Sequence, residues 1–273
     1  MADTSSSSRS ASSSSSAERS HSAGVDVGGT FTDVLVVDGD RLRVRKVPTS
    51  SPQHHAVVEG IEALEVDPAA PIAHGTTTAT NALLERRGAR TALITTEGFA
   101  DVLVIGRQNR PELYDLCPSR PAPLVPADLR HELAERIGAG GEVVVPLDEI
   151  TTHDLVDTLR GQNVESIAVV TLFSYRNALH EARIAEILRN RLDGVAVTAS
   201  HDLLPEYREY ERTATTVINA YVRPAVERYF TQLADALRDR SLRVMQSNGG
   251  TIGLDTAATQ AARLALSGPA GGV

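Results

Sequence analysis

Gly24-Val25-Asp26-Val27-Gly28-Gly29-Thr30-Phe31-Thr32-Asp33-Val34-Leu35-Val36-Val37 reads as a strand, a glycine turn and a second strand. Val25 and Val27 alternate on the first arm, and residues 34–37 form an apolar, valine-rich run on the second. Gly28-Gly29 allows positive φ and carries no side chain, so the turn can present backbone N–H groups to an anion such as phosphate. Asp26 and Asp33 flank it as oxygen ligands suited to Mg²⁺, and Thr30 and Thr32 add hydroxyls for phosphate oxygens. The same residues also read as an ordinary hairpin with two solvated aspartates. Asp26, set between two valines in a half-buried strand, tilts the balance toward a ligand, since a charge is costly there without a role.

The common nucleotide loops are absent. No G-x-x-x-x-G-K-[ST] occurs, and no G-x-G-x-x-G joins a strand to a helix. Gly138-Ala139-Gly140-Gly141 lacks that strand-to-helix context and reads as a flexible turn. If the chain holds a nucleotide, it does so with a hairpin.

Outward from the hairpin, residues 41–47 alternate as a third strand, and Ser51-Pro52 opens a helix with Val57, Val58, Ile61 and Leu64 on one face. Residues 71–76 form a short strand ending in a loop, and a helix over 81–87 follows, capped by Thr78 or Thr80 and closed by Gly88. His74 and the threonines at that strand end suit a polar or anionic ligand, and equally a threonine-rich cap beside a buried histidine. Arg107 and Arg110 lie in a polar loop able to grip a carboxylate or phosphate. Beyond it, four prolines (Pro118, Pro121, Pro123, Pro126) exclude regular structure.

Further helices are expected over 98–105, 147–159 and 180–192, and strands over 91–95, 166–173 and 195–198. Strand, helix, strand at that spacing implies a parallel crossover, hence an α/β fold. The longest helical stretch, about 205–238, starts with charges at i, i+3 and i+4 that read as a self-paired exposed face. Pro224 is expected to kink or divide it. A new strand begins at Leu242.

The 273 residues carry a formal net charge of -8 and 41% hydrophobic residues, with 4% aromatics and no tryptophan. An aliphatic core is affordable, and a nucleic-acid-binding face, which would be basic, is not expected. The one cysteine, Cys117, can form no internal disulfide, so a reducing cytoplasm is the simplest compartment. No apolar run reaches the length of a membrane span. Residues 1–22 are mostly serine and read as a disordered tail.

Several motifs in order carry a resemblance. They are residues 26–33, His74-Gly75-Thr76-Thr77-Thr78-Ala79-Thr80-Asn81-Ala82-Leu83-Leu84, Ile105-Gly106-Arg107-Gln108, Glu206-Tyr207-Arg208-Glu209-Tyr210-Glu211-Arg212-Thr213, Gln246-Ser247-Asn248-Gly249-Gly250 and Ser267-Gly268-Pro269-Ala270-Gly271-Gly272. The hairpin resembles the first phosphate motif of the actin, sugar-kinase and heat-shock ATPase superfamily. From about Gly24 onward the chain is similar to the hydantoinase A / 5-oxoprolinase family.

The resemblance implies a ribonuclease H-like (actin-like ATPase) α/β domain with a mixed sheet and flanking helices over 23–203, and the start of a second such domain, cut short, over 204–273. It implies ATP-dependent hydrolysis of a cyclic amide of hydantoin or 5-oxoproline type. By this reading Asp26 and Asp33 are catalytic and Asp26 anchors hydrated Mg²⁺. Gly28, Gly29, Thr30 and Thr32 hold the ATP phosphates, and His74, Thr76, Thr77 and Arg107 line the substrate side. A hydantoinase B-like partner subunit fits the same picture. No second D-x-G-G-T occurs, so the chain reads as the N-terminal portion of a longer subunit. Two alternatives stand beside it: an ATP-dependent ketone carboxylase subunit, and a non-catalytic, partner-binding chain.

Overall fold

The computed structural model describes residues 21–109, 112, 114, 121–265 and 267. The serine-rich tail, Arg110, Cys117, Pro118 and the glycines after Ser267 lie outside the described residues.

Two sheets share one long helix. The first begins with the hairpin of β1 (His21–Val27) and β2 (Phe31–Asp38) and extends to β3 (Arg41–Pro48). Register sets Val25 opposite Val34 and Val27 opposite Thr32, and these side chains are buried. The alternate positions form the other face, where Asp26 sits opposite Asp33 and Leu35 opposite Val44. Helix α1 (His54–Ala63) covers the buried face so closely that a Cβ on Gly60 would fall 2.4 Å from Val34 Cγ2. Gln53, not Ser51, stands at its N-cap position, and no side chain caps it.

β4 (Ile72–Thr76) pairs in parallel with β1, and α2 (Thr78–Leu84) leads away from its end. The chain then builds a second sheet from β5 (Thr91–Thr96), a one-turn helix α3 (Val102–Ile105), and β6 (Arg130–Leu133). A small ribbon of β7 (Arg136–Ile137) and β8 (Val143–Val145) precedes α4 (Glu149–Gly161). The Asp148 carboxylate accepts from Ile150 N, which caps α4. β9 (Ser166–Val170), α5 (Leu179–Arg191) and β10 (Ala196–Ala199) give the expected parallel crossover. The order is β10-β9-β5-β6, all parallel. β5 and β9 are buried along their whole length, as continuous apolar runs require.

After the single turn α6 (Ser200–Leu203), α7 (Glu209–Ala236) runs unbroken through Pro224. The proline removes one hydrogen bond, but α7 packs on both sheets along its length and stays one helix. Val217 and Ala220 join the core of the second sheet; Val226, Phe230 and Leu233 join that of the first. β11 (Leu242–Met245) then pairs in parallel with β4, and β12 (Thr251–Ile252) and α8 (Leu254–Thr259) follow.

The first sheet therefore has the order β12-β11-β4-β1-β2-β3. Residues 242–252 complete the sheet that the hairpin begins. The open hydrogen-bonding edge of β4 is what they cover, a pairing that no local pattern announces.

Candidate functional site

β1, β4 and β11 run parallel, so their carboxyl ends gather at one edge, and the glycine turn opens there. Gly28 N donates to Phe31 O at 3.0 Å, and Thr49 N donates to Thr30 O at 2.9 Å. The N–H groups of Gly29 and Thr30 make no backbone bond among the described residues. These two donors are the ones left for an anion. Neither Gly28 nor Gly29 takes positive φ. Glycine is required at 28 for closeness instead, since a Cβ there would meet Phe31 O at 3.0 Å. The Asn81 amide stands 3.7 Å from where a Gly29 side chain would begin. The sequence placed Asn81 only in a helix.

Asp26 is exposed on the open face of the sheet, not wedged among its valine neighbours, which point the other way. Its Oδ1 lies over Gly75, where a Cβ would come within 2.9 Å. Burial of its inner part, then the charge of Asp33, hold its pKa above the ordinary carboxylate value. No hydrogen bond or ion pair reaches it from the described residues. Asp33 differs: Lys46 Nζ sits 3.0 Å from its carboxylate. A lone carboxylate next to two free N–H donors suits a hydrated Mg²⁺ that also carries phosphate, because that ion takes one or two carboxylates and keeps waters.

The other expected residues are placed differently. Thr32 is fully buried, and its hydroxyl pairs with Thr49 Oγ1 at 3.1 Å. His74 also faces the core, in register with Val25. Its Nε2 meets the Tyr229 hydroxyl at 2.9 Å, and its Nδ1 is buried without a partner. Full burial pulls the imidazole down to about 4, so it is neutral. Thr76 is buried, with its hydroxyl on Thr78 Oγ1 at 2.8 Å. Thr77 ties α2 to the hairpin through N and Oγ1, both donating to Val27 O at 3.1 Å.

Arg107 lies elsewhere. Its Nε donates to Glu211 Oε1 at 2.7 Å beside an open pocket of ≈ 620 Å³ that Tyr210 and Thr215 also line. Glu211 and Tyr229 are eighteen residues apart on α7, about 27 Å at 1.5 Å per residue. His74 and Arg107 are thus not neighbours, and the structure does not gather His74, Thr76, Thr77 and Arg107 into one substrate wall.

One residue at this edge carried no assigned role. Gln246, at the end of β11, is 7% exposed, and its side-chain carbonyl oxygen has no partner. It follows β11 directly, at the edge where the turn opens.

Comparison with known proteins decides the family. Residues 22–192 match the family model of the hydantoinase/oxoprolinase N-terminal region, and residues 212–273 match that of hydantoinase/oxoprolinase. The chain belongs to the hydantoinase/oxoprolinase family. Among its relatives, a protein of Methanocaldococcus jannaschii is 40% identical over 91% of this chain and 38% of its own length. Caprolactamase subunit alpha of Pseudomonas jessenii is 35% identical over 86% of this chain and 36% of its own. The crystal structure of that ATP-dependent caprolactamase superposes with a TM-score of 0.81 at 33% identity, over 91% of this chain and 38% of that one. A nucleotide-free acetone carboxylase superposes with a TM-score of 0.83 at 28% identity, over 93% of this chain and 40% of that one. This family member spans less than half the length of each of these relatives. Its mixed sheets with flanking helices are the actin-like ATPase architecture of those neighbours.

Proposed function

We propose that this chain supplies the phosphate-binding half of an ATP-dependent amidohydrolase acting on a cyclic amide. The observation that carries the reading is Asp26: an exposed carboxylate with no partner among the described residues, on the strand that leads into the turn whose Gly29 and Thr30 N–H groups make no backbone bond among them, at the carboxyl edge of a parallel set of strands. Gly29 and Thr30 donate to a phosphate oxygen of ATP. Asp26 would hold hydrated Mg²⁺, which would supply charge neutralisation to the phosphates. Asp33, neutralised by Lys46, keeps the pair from carrying two open charges. Phosphoryl transfer asks a protein mainly for positioning and charge stabilisation, which such a turn provides.

In the reaction, the terminal phosphoryl group passes from ATP to the amide oxygen and ADP leaves. Water adds to the carbon so activated, the ring C–N bond opens, and the resulting acyl phosphate is hydrolysed. The caprolactamase match supports an amide substrate. A second reading, an ATP-dependent ketone carboxylase subunit, is supported by the acetone carboxylase match. In either case the chain works with further polypeptide or a partner subunit, as relatives described as subunits do.

The test is ATP turnover by the protein at its full genomic length, with hydantoin, 5-oxoproline, caprolactam and acetone offered in turn. A cyclic amide that accelerates ADP release supports the first reading. Acceleration only by a ketone with bicarbonate supports the second. A protein that neither binds nor hydrolyses Mg·ATP refutes both.

A further inference from the structure

The second sheet carries a group that the proposed reaction does not use. Arg212, in the first turn of α7, is 2% exposed. Its Nη2 donates to Thr171 O at 2.8 Å, and its guanidinium lies 5.4 Å from the centre of the Tyr175 ring. Its Nε and Nη1 are buried and have no partner among the described residues. The charged face expected at the start of α7 is therefore not wholly exposed or self-paired, because Arg212 is turned inward.

Nearby carboxylate does not answer these donors. The charge of Glu181 acts on Arg212, but its oxygens already have other donors. It accepts from Thr171 N at 2.7 Å, from Ser200 Oγ at 2.9 Å, and from His201 N and Nδ1 at 2.7 and 2.8 Å. A buried cation with open donors is costly until an acceptor meets it.

The place is also one where acceptors bind. Thr171 and Ser200 follow the carboxyl ends of β9 and β10, the edge at which parallel α/β sheets take ligands. The N-terminal turn of a 28-residue helix favours negative charge. Two segments that approach Arg212 hold non-glycine residues at left-handed φ, Phe173 at 57° and Arg208 at 74°. Such backbone is retained where geometry is imposed. Tyr175 fixes the plane of the guanidinium, which favours a flat partner.

We propose that Arg212 anchors a second binding site, for the carboxylate of a small organic acid, between the β9–α5 loop and the start of α7. Arg212 lies seventeen residues along α7 from Tyr229, the partner of His74, about 25 Å.

Titrating the 273-residue chain with acetate, glutarate and inorganic phosphate tests this, read by melting temperature and by crystals grown with each. The carboxylates should raise the melting temperature to saturation and place an oxygen on Nε or Nη1. Arg212→Met should weaken glutarate at least tenfold. Arg212→Lys, a point charge without the fork, should also weaken it. Asp26→Asn should lose Mg·ATP yet bind glutarate as the wild type does, so this site and the hairpin fail separately. Equal responses in wild type and Arg212→Met overturn the proposal, as does phosphate binding in preference to both acids. A lone water on Nε and Nη1 at saturating glutarate overturns it too. If Arg212→Met does not fold, the wild-type crystals decide.

Discussion

Asp26 and Asp33 face each other across the hairpin in direct register, yet only Asp33 has a cation, Lys46, 3.0 Å away. The hairpin thus keeps one carboxylate quiet and leaves the other charged and open.

That asymmetry predicts the effect of removing the open charge. Asp26 has its pKa raised by burial and by Asp33, so the folded state favours its protonated form. Its favourable contribution is full below the unfolded carboxylate value and is lost as pH rises through the folded one. Asp26→Asn should therefore melt higher than wild type at pH 7 and lose that advantage near pH 3, while Mg·ATP binding disappears. Scanning calorimetry at both pH values, with nucleotide titration, checks it.

Gly75→Ala should separate folding from binding. The new methyl meets only the end of the Asp26 side chain, at 2.9 Å, and a carboxylate can swing away. The variant should fold with a midpoint close to wild type. Its affinity for Mg·ATP should fall about tenfold or more, because the carboxylate is moved from its place over Gly75, the scale of one displaced charge-assisted contact.

Gly60→Ala should do the opposite. Its Cβ would sit 2.4 Å from Val34 Cγ2 in the packed face, with no exposed chain end to yield. A loss of about 1–3 kcal/mol is expected, read from urea midpoints, with the hairpin's ligand contacts untouched.

His74 predicts acid sensitivity. Its folded value is pulled down to about 4 by burial, against an ordinary 6.5. Below 6.5 the unfolded chain takes up a proton that the folded chain refuses. Stability is thus present above 6.5 and falls as pH drops toward 4, by at most about 1.4 kcal/mol per pH unit. His74→Gln should flatten that segment of the urea-midpoint profile. Tyr229→Phe leaves both ring nitrogens without partners and should cost about 1–3 kcal/mol at pH 7.

The hairpin was legible because glycine, β-branched alternation and aspartate all act within a few residues. The strand 72–76 was legible too, and its alternation held more than was taken from it. Ile72 must face the core, and period two then sends His74 and Thr76 inward with it. A histidine named for substrate was a core residue by its spacing. Arg212 follows the same logic on α7, where Arg212, Thr216 and Ala220 repeat every four residues on the buried stripe. Its charge masked that position. The joining of β11 to β4 had no local sign, because the partners are about 170 residues apart.

That last pairing bears on synthesis at the ribosome. β4 is made early, but the strand that covers its free edge emerges only after β5 to β10 and all of α7. The second sheet, contiguous in the chain, is able to form first. The hairpin's sheet waits half-assembled, with one hydrogen-bonding edge open to any passing strand. Nascent chains stalled before residue 242 should therefore recruit chaperones, and release should follow once Leu242–Met245 has cleared the tunnel and docked.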